Sequence, residues 1–554
     1  MGYRGIYRQA WQCMLLALVV LAARFGVVSA AASDQVVCVG DCDGSGDVTV
    51  NDLITMVNVA LGNAPLAECS SGDVDGSLQI TIDEIIEAVR GALAGCSVAP
   101  TATPTMTVPP TPTASPSPTR IPGDFWAPGV AYTSIAEPGP RGLIDRRGLI
   151  HAHSVYSHDA CDGMPVVNGV RDPVCFDDFR RGLCQSKHDF VMLTDHDESF
   201  GDTPYPEALL YRADRGDELV MHDGNPAASW SGCPDGSHAL IMAGCESGTM
   251  PVGLEEHVAD QPARSEIYEA MTAEAIEALR AKGAVALVSH TENWTVAQLH
   301  DLPLDGFEMY NVHANLLLNV SKAAQFVLRL NDPGLMAPDL ILLGIISEDP
   351  RYLTRWGSVL ASGEKRVTTM ATDCHRNTFK QLMQDGERVD SFRRMMMWFS
   401  NHLLVQPKAD GSFDDRDLKE ALRAGRLYGA FEVMGYPEGF DYHAEVGSQT
   451  FEMGAEVQLT DQPVLHVARP SVRHLDPNHE PPQLTLRILR AIDNGFEEVA
   501  SGSAALAFTP TQAGAYRAEV RMVPLHLRED LRNDATAVLA HDFVWIYANA
   551  IYVR

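Results

Sequence analysis

The stretch "GLIHAHSVYSHDA" closes a short apolar run with His151 and His153, two imidazoles separated by one residue. In an extended strand the side chains at i and i+2 share a face, so both rings project the same way. Imidazole nitrogen is a ligand for divalent transition ions, although an isolated His-x-His pair also sits on ordinary surface loops. Other apolar runs end in the same kinds of side chain. "HDFVMLTDHDE" reaches Asp195 and His196, "HALIMAGCE" reaches Glu246, "AVALVSHTE" reaches His290, and "VTTMATDCH" reaches Asp373 and His375. One such strand end is commonplace. Their convergence would be costly in desolvation unless a cation compensated them, so the pattern points to a metal site.

Such a site needs strands delivered side by side. Helical patterns such as "EIYEAMTAEAIEALRAKG" alternate with the strand-like runs, which predicts an α/β region of parallel strands, most simply a barrel. In barrels of this kind the C-terminal strand ends form the active face. Alternation also puts Asp373 and His375 on one face and turns Cys374 into packing.

The His-x-His opening, "TDHDE", the isolated Glu, "SHTE" and the closing Asp-x-His together resemble the polymerase and histidinol phosphatase (PHP) superfamily of metallohydrolases, over about residues 147–435. The resemblance implies a distorted seven-stranded β/α barrel holding two or three ions of zinc, manganese or iron. It places His151, His153, His196, Glu246, His290, Asp373 and His375 on metal, with His257 of "LEEHVAD" as a further ligand. The ligand expected after the first pair is His158 or Asp159, and counting from Ser157 favours Asp159. Glu246 is the candidate to bridge two ions and, with Asp195, to serve catalysis. Asp195 would be a partner of the ligand His196 or a proton acceptor. His313, beside Asn311 in "EMYNVHAN", and Arg376 are candidate substrate contacts; a satisfied loop histidine and a salt-bridging arginine are the plainer alternatives. The implied chemistry is hydrolysis by a hydroxide held between the ions, most directly of a small phosphoester. Carboxylic or carbamate esters or amides need the same hydroxide, and a non-catalytic metal-containing binding protein is the third reading. A convergent Arg or Lys would favour phosphate, and an apolar pocket neutral esters or amides.

The 554 residues predict several domains. Arg4 and Arg8 precede the apolar run Cys13 to Ala23, and Val28, Ser29 and Ala30 fit small-residue cleavage, so residues 1–30 read as a signal peptide for secretion or periplasmic export. Arg24 cuts that run short of a membrane span. A formal net charge of -31 disfavours nucleic acid as a partner.

Residues 36–97 contain a near-repeat, "GDCDGSGDVTVNDLITMVNVALG" and "GDVDGSLQITIDEIIEAVRGALAG". Asp41, Asp43, Ser45, Thr49 and Asp52 in the first copy, and Asp73, Asp75, Ser77, Thr81 and Glu84 in the second, fit the oxygen-ligand frame of a twelve-residue calcium loop. Leu78 replaces the turn glycine in the second. The paired loops resemble a dockerin type I module, a small EF-hand-like α unit that implies a cohesin-type partner; a calcium-stapled spacer is the alternative. Cys38, Cys42, Cys69 and Cys96 could add two crosslinks of undetermined connectivity.

The Thr/Pro/Ser tract over 98–123 reads as an extended linker, followed by the metallohydrolase region over 124–440. "DLKEALRAGRLYGAF" predicts a helix ended by Gly425 and then a strand. Beyond it, "LTLRILRAI", "AYRAEVRMV" and "FVWIYANAIYVR" predict a β-sandwich-like appendage over 441–554. The helix motif and closing strands look like the secreted, carbaryl-hydrolase-like PHP branch, a short match that carries no claim of carbamate cleavage.

Overall fold

The computed structural model describes residues 38–60, 64–74, separate positions from 76 to 88, and 125–554 apart from 331 and 378. The signal-peptide and linker segments, Asp75, Ser77 and Cys96 lie outside the described residues. The chain divides into two compact units on either side of positions 114 and 115. Among the described residues, no helix is long and apolar enough to cross a membrane.

In the first unit, helix α1 (Val50–Ala60) follows the first acidic loop. Val48, Met56, Ile80 and Ile85 are buried, and the Cys42–Cys69 disulfide, with Cα atoms 4.4 Å apart, crosslinks the unit.

The second unit is a large mixed sheet with helices against it. Its strands are β1 (Ile144–Ala152), β2 (Phe190–Met192), β3 (Asp195–His196), β4 (His238–Glu246), β5 (Met250–Leu254), β6 (Val285–Leu287), β7 (Gly306–Asn311) and β8 (Val367–Cys374). β1 pairs in parallel with β2 and with β8, and β2 pairs in parallel with β4. β5 runs antiparallel between β4 and β6. The amides of Asp305 and Glu308 bond to the carbonyls of Ala286 and Val288 at 2.8 and 3.2 Å, which ties β7 to the end of β6. β7 pairs in parallel with β8, so the pairings return to β1. Both faces are covered, and that is why β4 reads "HALIMAGCE", nearly all apolar and buried, without alternation. Ile150, Phe190, Met192, Leu240, Met242, Val285 and Leu287 form the core, closed by Leu418, Ala421 and Leu422 from helix α2 (Asp415–Ala424). That helix starts on Asp414, whose carboxylate accepts from the amides of Arg416 and Asp417, and ends at Gly425 with φ 77°.

Two expectations change. The pattern "EIYEAMTAEAIEALRAKG" is two helices, Ala263–Glu269 and Ala273–Arg280, because Thr272 caps the second by accepting from the Ala275 amide. Strand pairing also runs across the expected boundary at 440. Strands β9 (Ser400–Val405) and β10 (Leu427–Ala430) continue the sheet from β1, and β10 pairs with a strand at Phe543–Ala548. The C-terminal segment thus shares a hydrogen-bonded ladder with the region before it. It also has a four-stranded antiparallel sheet of its own, residues 441–446, 449–452, 464–468 and 506–508.

Candidate metal centre

The C-terminal ends of β1, β3, β4 and β8 bring His151, His153, His196, Glu246, Asp373 and His375 together, joined by His290 three residues after β6. His151 Nε2 lies 3.1 Å from His153 Nε2, 3.3 Å from Glu246 Oε2 and 3.1 Å from Asp373 Oδ1. His153 Nε2 is 3.3 Å from those same two oxygens. Four side chains thus turn ligand atoms onto one point, and all four are buried.

Simple strand alternation does not produce this. His151 has φ 75°, and the pairing of β1 with β8 shifts register between Ile150 and Ala152. His290 and Asp373 are also left-handed, at φ 47° and 49°. Each such residue costs about 1 kcal/mol or more outside glycine, and strain of this kind concentrates where side chains must be aimed.

A second group lies beside the first. Asp159 Oδ2 is 2.9 Å from His375 Nε2 and 3.2 Å from His196 Nε2, and these atoms cluster with His153. Asp159 therefore faces the centre, while His158 is exposed and paired with Glu198 at 3.8 Å. The Cys161–Cys175 disulfide and a 3.1 Å hydrogen bond from the Cys161 amide to the His375 carbonyl hold this loop. His290 Nε2 is 3.4 Å from Glu246 Oε1 and 3.3 Å from Asp373 Oδ2. His313 joins as well, with Nδ1 3.1 Å from Asp373 Oδ2 and its ring stacked on His375. It forms a third group with those two residues and was not among the ligands expected from sequence.

Electrostatics at the centre are dominated by its carboxylates. Burial opposes charge on His151, yet Asp373, Glu246 and Glu308 outweigh it and hold its pKa well above the ordinary value. Burial likewise opposes charge on His290, and Asp373 and Glu292 reverse it. His153 is raised to about 9 against burial by Asp373 and Glu246, whereas burial, with His153 nearby, pushes His375 down to about 4. Glu246 and Asp373 stay well below the usual carboxylate range despite burial, because His151 and its neighbours face them.

Residues not singled out from sequence orient the rings. Glu308, fully buried on β7, takes the Nδ1 side of His151 and accepts from the backbone amide of His290 (2.9 Å) and the side-chain amide of Asn311 (3.2 Å). Glu292 Oε1 is 3.2 Å from His290 Nδ1. A carboxylate on Nδ1 leaves Nε2 as the lone-pair face, the arrangement of a ligating histidine.

Asp195 accepts from the Ser154 amide at 2.5 Å and hydroxyl at 2.7 Å, so both oxygens are engaged by the residue after His153. Burial raises its pKa. His257 is not brought to the centre. Its Nδ1 is 3.0 Å from the Tyr268 hydroxyl and its Nε2 2.8 Å from the Thr203 carbonyl. The cause is topological: β5 runs opposite to β4, so the chain leaving it heads away from the end that carries Glu246. Arg376 pairs with Asp178 and also lies 4.0 Å from Asp162. It lines, with His313 and His375, a cavity whose other walls include Leu316, Phe326, Ile341, Phe379 and Trp398.

Asp373 Oδ1 and His375 Nε2 are buried without a hydrogen-bond partner, although other ligand atoms lie within contact distance. Lone pairs facing lone pairs in a dry site are costly, and a divalent ion satisfies them. The nitrogen and oxygen donors suit zinc, iron or manganese.

In the first unit, Asp52 accepts from the amides of Cys42 (3.0 Å) and Thr49 (2.8 Å) and from the Thr49 hydroxyl. Glu84 repeats this with the amides of Val74 (2.6 Å) and Thr81 (2.8 Å) and the Thr81 hydroxyl. Asp41 accepts from the amides of Ser45 (2.9 Å) and Gly46 (2.7 Å), and Asp43 from that of Ser45 (3.0 Å).

Comparison of the chain with protein-family models, curated proteins and solved structures gave no match.

Proposed function

We propose that the second unit is a metal-dependent hydrolase of the PHP superfamily. The carrying observation is the pair of buried, unbonded atoms Asp373 Oδ1 and His375 Nε2 at the meeting point of three histidine and carboxylate groups. The pairing circuit β1, β2, β4, β5, β6, β7, β8 and back to β1 supports the distorted seven-stranded barrel that this family implies.

His151, His153, Glu246 and Asp373 would hold one ion, Asp159, His196 and His375 a second, and His313 and His290 would complete the shell around Asp373. Bound zinc, manganese or iron supplies Lewis acidity and lowers the pKa of coordinated water. The protein's own side chains do the rest. Glu246 turns Oε2 to His151 and His153 and Oε1 to His290, the reach of a bridging carboxylate. Glu308 and Glu292 fix ring tautomers. Asp195, both of whose oxygens accept from Ser154, would position the neighbouring His153.

The cavity, through its lining, supports the reading of substrate class. Its apolar walls run up to His313 and His375, and Arg376 is held by Asp178, which favours a carboxylic or carbamate ester or amide with an apolar group. Phosphoester hydrolysis is the second reading, favoured by the same Arg376 standing one residue from His375 on the cavity wall.

The first unit is proposed to bind calcium, with a cohesin-type partner in the manner of dockerins, on the strength of the matching hydrogen bonds of Asp52 and Glu84. The disulfides Cys42–Cys69, Cys161–Cys175 and Cys184–Cys233 support export to an oxidising compartment.

The test is hydrolysis of p-nitrophenyl phosphate, bis-p-nitrophenyl phosphate, and p-nitrophenyl carboxylate and carbamate esters by the metal-loaded full chain. Faster turnover of the carboxylate or carbamate is expected. Faster turnover of a phosphate ester would promote the second reading, and bound ions without turnover would leave a binding protein.

A further inference from the structure

Away from the centre, the four-stranded C-terminal sheet presents a histidine pair on its solvent side. In the strand at Asp441–Val446, Tyr442 and Ala444 are buried while His443 and Glu445 face outward. In its neighbour at Val464–Ala468, Leu465 and Val467 are buried and His466 faces outward. The antiparallel register sets His443 directly opposite His466, and their rings stack at 5.1 Å and 16°. Residues directly opposite on one face are the closest cross-strand neighbours, so both imidazoles share one small area.

Glu445 completes it. Its Oε2 lies 3.3 Å from His466 Nε2 and its Oε1 3.7 Å from His443 Nε2, and the three ligand atoms fit within 4.8 Å of one another. His466 Nε2 is shielded from solvent, yet makes no hydrogen bond, even with the carboxylate beside it. His443 is held from behind, with Nδ1 2.9 Å from Asp441 Oδ2, and Asp441 is clamped by Arg141. The Arg141 guanidinium also lies 3.4 Å from Nδ1, but the nearer Asp441 carboxylate is the acceptor for an Nδ1 proton, and that donation would leave the Nε2 lone pair toward Glu445 and His466, the backing that ligating histidines receive. Arg141 also pairs with Glu452, so the carboxylates of Asp441, Glu445 and Glu452 outnumber the one guanidinium. On the far side of His466 the opposite residue is Ala507, too short to fill the face.

We propose that His443, His466 and Glu445 form a separate surface site for a divalent transition ion, preferentially zinc or copper. Two imidazoles and one carboxylate are a recurrent zinc ligand set, and the position facing solvent is left for water. At equal availability copper would bind more tightly than zinc.

The test uses the chelator-stripped full chain and zinc competition against a chromophoric chelator, counting bound equivalents. Against wild type, the His443→Ala/His466→Ala variant should lose one zinc equivalent per chain while retaining those of the main centre. Glu445→Gln should keep the histidines and weaken that same equivalent by about tenfold or more. The His151→Ala/His153→Ala variant should retain it, so failure of this site and failure of the hydrolase reading are read separately. An unchanged count in the His443→Ala/His466→Ala variant, or an equivalent that fills only at millimolar zinc, would overturn the proposal.

Discussion

The acidic loops of the first unit and the histidine centre of the second are both read as cation sites, but their carboxylates are satisfied in opposite ways. Asp41, Asp43, Asp52 and Glu84 accept hydrogen bonds from the backbone of their own loops. A loop of this kind can close on itself, and an ion adds to an order already present. At the histidine centre Glu246 and Asp373, from the strands 238–246 and 367–374, face the imidazole of His151 from the strand 144–152, and Asp373 Oδ1 has no hydrogen bond. The teaching is that acid count alone does not rank cation sites; the unmet lone pairs do.

The comparison breaks most sharply under exchange of defects. His151→Ala/His153→Ala should lower ester turnover by roughly a thousandfold, about 4 kcal/mol of transition-state stabilisation, and leave calcium binding intact. Asp52→Ala/Glu84→Ala should abolish calcium uptake and leave turnover intact. Turnover and calorimetry on both variants check the pair, and a shared defect would mean that the two sites are not independent.

Glu308→Gln tests orientation at the centre. It keeps the shape of the side chain but weakens the acceptor behind His151, so metal affinity should fall about 10 to 100-fold. Equilibrium dialysis against a graded metal buffer reads it directly, and unchanged affinity would make Glu308 a mere packing residue.

Acidity should separate the two regions next. Burial opposes the protonated form of His151 and His290, but the carboxylates around them hold both well above the ordinary imidazole value, so an incoming ion must displace protons. Affinity at the centre should therefore fall as pH falls, by about tenfold per pH unit for each proton displaced. Asp52 behaves oppositely: burial raises its pKa, but the Thr49 hydroxyl and the amides of Thr49 and Cys42 outweigh this and hold it below the ordinary value. Calcium affinity should stay level from neutral pH down to about pH 5.5, above the ordinary carboxylate range. Paired titrations of metal and calcium binding between pH 8 and about pH 4 provide the check.

The smallest effect belongs to His257. His257→Gln should cost about 1 kcal/mol in stability through its bonds to Tyr268 and Thr203, and leave metal content unchanged. Loss of an ion in this variant would restore His257 to the ligand set.

The legible part of the centre was the part written at strand ends. His151, Glu246 and Asp373 each follow an apolar run, and parallel pairing of those runs is enough to gather them. Glu308 was missed because it lies within the apolar strand "GFEMYN", and the partners that explain a buried carboxylate there, chiefly His151 and His290, come from other parts of the chain. His313 looked like a loop histidine because its meeting with Asp373 depends on the pairing of β7 with β8. His257 was misplaced because ligand order says nothing about strand direction, and β5 is antiparallel. The left-handed backbone at His151 and Asp373 had only a weak signal, since histidine and aspartate enter that region more often than most residues but without glycine's freedom. In the first unit the contacts of Asp52 and Glu84 were legible because each is made within about ten residues of its own loop, whereas the Ser71 hydroxyl on the Asp41 carbonyl, thirty residues away, had no local signal.

The most direct test of the central claim is a crystal structure of the full chain grown with zinc or manganese, with anomalous scattering measured at the absorption edge of the metal. The account predicts anomalous peaks among His151, His153, Glu246 and Asp373 and among Asp159, His196 and His375. An ordered centre with those side chains in place and no anomalous density between them would contradict it.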